Sequence, residues 1–170
     1  ATASSYPRDF HPLGAIQVVF EANDGVNGTE LWVSDGTTAG TNLVADIYTG
    51  TSGYVDTGVG VSMGKKVIFR ARDLTSGYEA FVTDGTKAGT MLLKDANPGA
   101  GNGYVYYAFY NGTKAYYGVN NASSSYTIYE TDGTPAGTKL YGPAKISNSS
   151  PAYLYENKGK VYSYARDVSP

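Results

Sequence analysis

The sequence predicts an all-β fold, a β-propeller-like repeat of four-stranded antiparallel blades, with three full units plus a half unit. Three observations carry that expectation. An Asp-Gly-Thr motif recurs at spacings of 49 and 48 residues. Around each copy lie short runs in which apolar and polar residues alternate, the period of a half-buried strand. The composition agrees: 22 Gly and 17 Tyr against only 16% charged residues favour turn-rich strands over a helical bundle, whose surfaces need Lys, Glu and Arg. Units of 40 to 50 residues built from four short strands are the signature of propeller blades. The 170 residues hold about three and a half of them.

The elements follow in order. The opening strand is expected near Arg8 to Pro12. A second strand follows a Gly turn at Gly14, Gly64, Gly112 and Gly159, and begins at Val18, Val67, Ala115 and Val161. The third strand is expected at Glu30 to Ser34, Glu79 to Thr83 and Thr127 to Thr131. An Asp-Gly-Thr-x-Ala-Gly loop then reverses the chain, Gly supplying positive φ and Asp binding local amides. Fourth strands are placed at Thr41 to Asp46, Thr90 to Asp95 and Thr138 to Gly142. Gly/Ser/Pro-rich crossovers lead to new first strands near Tyr54 to Val61, Tyr104 to Tyr110 and Ala152 to Glu156. The units span about 6–53, 54–103 and 104–151, with the half unit at 152–170, all in one domain.

The first copy, Glu30-Leu31-Trp32-Val33-Ser34-Asp35-Gly36-Thr37-Thr38-Ala39-Gly40-Thr41, resembles the ELWxSDGTxAGT repeat of large exported bacterial proteins. The second copy is partial, with Glu79-Ala80-Phe81 in place of Glu-Leu-Trp, and the third has Thr127 for Glu and Tyr129 for Trp. The resemblance implies export and a β-repeat fold, and it implies no chemistry. Four Asn-x-Ser/Thr sequons, at Asn27, Asn111, Asn121 and Asn148, lie in expected loops and are candidate glycosylation positions. They agree with an extracellular or cell-surface location, as does the start at Ala1 without Met, which fits a mature, signal-cleaved product.

The repeated Trp32, Asp35, Phe81, Asp84, Tyr129 and Asp132 read as structural. A residue present once per unit is spread around an array rather than converged on one centre. The Asp residues are turn chemistry, and the aromatics fill the core between sheets. No catalytic residue and no cofactor site is identified. His11, the sole His, has no Ser, Cys or second His context for a triad or a metal. The Asp95–Gly103 stretch offers oxygens for Ca²⁺, but without the regular spacing of a Ca²⁺ loop, so it reads as a crossover. Cys is absent, which removes thiol chemistry. The net charge of −2 gives no nucleic-acid footprint, and no apolar run is long enough to span a membrane.

Thirteen of the 17 Tyr lie from Tyr104 onward, and exposed Tyr is a good contact residue for protein or glycan. A half unit leaves an open strand edge, and open edges seek partners. The expected function is a non-catalytic extracellular structural or adhesive module that self-associates as an oligomer or filament. The alternatives are a glycan-binding, lectin-like propeller with one site per blade, or a fragment of a larger exported repeat protein. An enzyme would need converging carboxylates, and the sequence presents no such pair.

Overall fold

The computed structural model describes residues 4–99, 101–120, 126–142, 154–158 and 160–163. Every regular element among them is a strand. The first meander is β1 (Arg8–Leu13), β2 (Gln17–Asn23), β3 (Gly28–Ser34) and β4 (Asn42–Ala45), each antiparallel to the one before. The second repeats the pattern with β5 (Gly53–Ser62), β6 (Val67–Asp73), β7 (Gly77–Thr83) and β8 (Met91–Lys94). The third contains β9 (Tyr104–Tyr110), β10 (Ala115–Asn120), β11 (Tyr126–Thr131) and β12 (Lys139–Leu140). A two-stranded hairpin follows, β13 (Leu154–Asn157) with β14 (Lys160–Ser163).

These strands match the expected ones with small shifts. The strongest difference is β12, where only Lys139 and Leu140 pair, a fraction of the expected Thr138–Gly142 strand. Both are exposed, so burial adds nothing to hold a longer ladder there. The expected strand start at Ala152 and the expected turn at Gly159 lie outside the described residues.

The first two meanders share one hydrogen-bonded sheet. The upper part of β3 pairs with β4 from Leu31 to Val33, while its first residues pair in parallel with β5 at Gly28↔Gly53 and Thr29↔Tyr54. The third meander and the hairpin form separate sheets, and none of the described sheets closes into a barrel.

Strand alternation gives each meander two apolar faces. Cross-strand pairing puts Val18, Phe20, Ala22 and Trp32 on one face of the first; call it the signature face. Val19, Leu31 and Val33 lie on the opposite face. The core consists of two clusters built to one plan. In the first, Val19, Leu31, Val33 and Val44 from the first meander meet Val67, Phe69, Ala71 and Phe81 from the second. In the other, Ile68, Ala80, Val82 and Leu93 meet Ala115, Tyr117, Val119 and Tyr129 of the third. Each cluster therefore joins the opposite face of one meander to the signature face of the next. The long apolar run of β6 follows from this, because a strand covered on both sides needs apolar residues on both.

Candidate functional site

The Asp-Gly-Thr loops are three copies of one hydrogen-bond network. Asp35 Oδ1 accepts from the amide of Thr37 (2.9 Å) and from its hydroxyl (2.7 Å). The Thr37 oxygen in turn accepts from the Gly40 amide (2.9 Å), and Thr41 donates to the Thr37 carbonyl (2.7 Å). Asp84, Thr86, Gly89 and Thr90 repeat the set, as do Asp132, Thr134, Gly137 and Thr138. Gly36, Gly85 and Gly133 have φ of 88°, 85° and 80°, the region that disfavours a side chain. The Asp carboxylate also fills the space that a Cβ on Gly40, Gly89 or Gly137 would need. Bonds from Thr37 and Thr134 hold the Asp35 and Asp132 carboxyls below their ordinary range. Each of these carboxylates is occupied by its own loop, and among the described residues no group of three His, Asp or Glu is placed to hold a metal.

The signature aromatics part company. Phe81 and Tyr129 are buried in the two core clusters. Trp32 is half-buried, its indole N–H bonded to the Ala22 carbonyl at 3.2 Å. It lines an open apolar groove of about 610 Å³ with Pro7, Phe10, Val18, Phe20 and Ala22. Phe10, 55% exposed, stacks on Phe20 with ring centroids 4.8 Å apart. This groove is the signature face of the first meander, and no described residue packs over it as the first meander packs over Phe81.

At the other end of the array the hairpin packs against β9 and β10. Tyr155 and Tyr162 are cross-strand partners on it, stacked with centroids 5.2 Å apart. They are 59% and 44% exposed.

Among the sequons, Asn111 is exposed and its Oδ1 accepts from the amides of Thr113 (3.0 Å) and Lys114 (2.9 Å). Asn27 uses Nδ2, the atom a glycan would occupy, to donate to Asp24 at 2.7 Å. Asn121 and Asn148 lie outside the described residues. His11 Nε2 contacts the Thr57 carbonyl at 2.7 Å, which ties β1 to β5. In the Asp95–Gly103 crossover, Asn102 Oδ1 accepts from the Tyr78 amide and Asn97 Nδ2 donates to the Asn102 carbonyl, so its amide side chains hold the crossover itself.

Sequence reasoning missed the role of the first motif residue. Glu30 and Glu79 are fully buried. Glu30 accepts from the Ile47 amide at 3.1 Å; Glu79 accepts from Ala96 (3.2 Å) and Asn97 (3.3 Å). Each carboxyl thus clasps the crossover to the next meander. Burial, only partly offset by these bonds, pushes both up to about 7. Gly53 and Gly103 press against the same carboxyls and leave no space for a Cβ. The third repeat has Thr127 for Glu, and the residue before its next first-strand Tyr is Ala152 rather than Gly. That joint loss within one chain was the available signal.

No protein-family model matches the sequence, and no curated protein sequence matches it significantly.

Proposed function

We propose that this chain is a non-catalytic, extracellular structural or adhesive module of propeller-like blades that self-associates head to tail. One observation carries the reading. The face that is buried at Phe69 and Phe81 in the second meander, and at Tyr117 and Tyr129 in the third, is open around the half-buried Trp32 and the exposed Phe10 in the first. Both internal junctions set this face on the opposite face of a preceding meander. A second copy can repeat the junction with the exposed Tyr155–Tyr162 face of its hairpin, since Tyr162 holds the position of Ile68 and Tyr116. Contacts between unlike faces are heterologous, and they build rings or filaments according to whether the rotation closes. Apolar and aromatic surface with a polar rim is the composition of such interfaces. The resemblance of the first repeat to exported bacterial proteins, together with the sequons, supports the extracellular placement.

Sedimentation of the chain over a wide concentration range, read alongside the emission maximum of Trp32 (the single Trp), tests the proposal. Association with a blue shift of the Trp32 emission is the expected result; Tyr162→Glu should abolish both, and Trp32→Glu, followed by sedimentation alone, should abolish the association. A strict monomer at high concentration overturns it.

A further inference from the structure

We infer that a second groove, lined from β1, β2, β5, β6, β7 and β9, is a binding site for a neutral saccharide chain. Its walls are aromatic. Tyr78 lies between Tyr54 of its own meander and Tyr104 of the next, edge-on to the first at 5.7 Å and stacked on the second at 5.5 Å. The Arg72 guanidinium sits over Tyr78 and Tyr48, 5.7 and 5.0 Å from the ring centres, which anchors the central ring of the row. Tyr54 is 49% exposed and Tyr104 37%, so the row presents rings that are already immobilised. The groove holds about 520 Å³.

Its remaining groups are polar and equally fixed. Arg70 pairs with Asp56 and donates to the Val105 carbonyl at 3.1 Å. Arg8 pairs with the buried Glu21, whose second oxygen accepts from the Thr57 amide at 3.3 Å. Both guanidiniums are thus neutralised within the groove, and Asp9 adds a further negative charge 4.0 Å from Arg8. Among the described residues that line the groove, Arg8 and Arg70 are matched by Glu21, Asp56 and Asp9, so the lining carries no excess positive charge to attract a phosphate or uronate. Sugar rings carry an apolar C–H face and a rim of hydroxyls, and they match flat rings beside oriented carboxylate and guanidinium groups. A second Tyr pair stands in the third repeat, where Tyr126 holds the position of Tyr78 and lies tilted against Tyr106, ring centroids 6.2 Å apart. A linear oligosaccharide fits a line of rings better than a single monosaccharide does.

The groove shares no lining residue with the apolar groove around Trp32, so the inference stands apart from self-association. Isothermal titration with neutral glucose, mannose and N-acetylglucosamine hexamers, with amide chemical shifts recorded in parallel, tests it. At least one hexamer is expected to bind and to shift the amides of Tyr54, Tyr78 and Tyr104. Tyr54→Ala and Tyr104→Ala should each weaken binding about tenfold or more, while Tyr54→Phe and Tyr104→Phe, which keep the rings and the fold, retain most of it. Ile16→Ala, at an exposed position outside both grooves, serves as the remote control and should leave saccharide binding unchanged. Absence of binding to all three hexamers, binding indifferent to both Ala variants, or preference for a uronate chain or choline overturns the inference.

Discussion

Replacing Gly103 by Ala places a methyl where the Glu79 carboxylate already sits. Overfilling a packed site costs about 1–3 kcal/mol, and the buried Glu79 has no exposed route of retreat. Replacing Glu79 by Thr, the residue of the third repeat, strips the Ala96 and Asn97 amides of their carboxylate acceptor. Each buried donor left unpaired costs about 1–3 kcal/mol, reduced here by the Thr hydroxyl and by no longer burying an acid. Each single variant should therefore lose about 2 kcal/mol. Together they should not lose twice that, because the shorter Thr vacates the space that the methyl needs. The expected coupling is about 1–2 kcal/mol, against the few tenths seen for independent sites. Urea titrations at pH 6, with unchanged slopes, measure all four corners of the cycle. Strict additivity would refute the clasp, as would a Gly103→Ala protein as stable as the parent.

The same carboxyls set a pH dependence. Glu30 and Glu79 rise from an ordinary 4.5 to about 7 on folding, so the folded chain holds more protons between those values. Their contribution is full below pH 4.5 and is lost as pH rises through 7. Between pH 5 and 8 stability should fall by on the order of 1 kcal/mol per carboxyl with screening included, and Glu30→Gln/Glu79→Gln should flatten that slope in urea midpoints. Phe81→Ala should cost about 3–5 kcal/mol in thermal or urea melts, and Trp32→Ala on the open face clearly less; equal losses would contradict the asymmetry. Asp84→Ala removes the acceptor that organises its loop and should cost about 1–2 kcal/mol, while Asp84→Asn, which keeps an Oδ1, should cost less by calorimetry.

The periodicity of the motif located the strands because turn chemistry is local: Asp35, Gly36 and Thr37 make the same bonds wherever they occur. The burial of Phe81 and Tyr129 was legible for a similar reason, since a large aromatic at the same point of every unit needs a repeated surface to cover it. The difference between Trp32 and Phe81 was not legible, because it depends on which meander stands in front and no single repeat encodes that. The clasp escaped for another reason. A Glu at the head of a strand reads as solvated until the crossover folds back and supplies its amides 17 residues away. The tyrosine row is likewise divided among three strands, so no stretch of sequence displays it.

An array whose neighbours are the main contacts behaves as a chain of couplings, and here the couplings are unequal. The first two junctions each carry a Glu clasp and the third has Thr127 in its place. Under a pulling force applied through the C-terminus, the hairpin should peel away first and leave the three meanders locked as one unit. Each earlier meander would need a larger force. The missing Glu would then act as a mechanical fuse, absorbing strain at one end of the array before the motif-bearing core begins to yield.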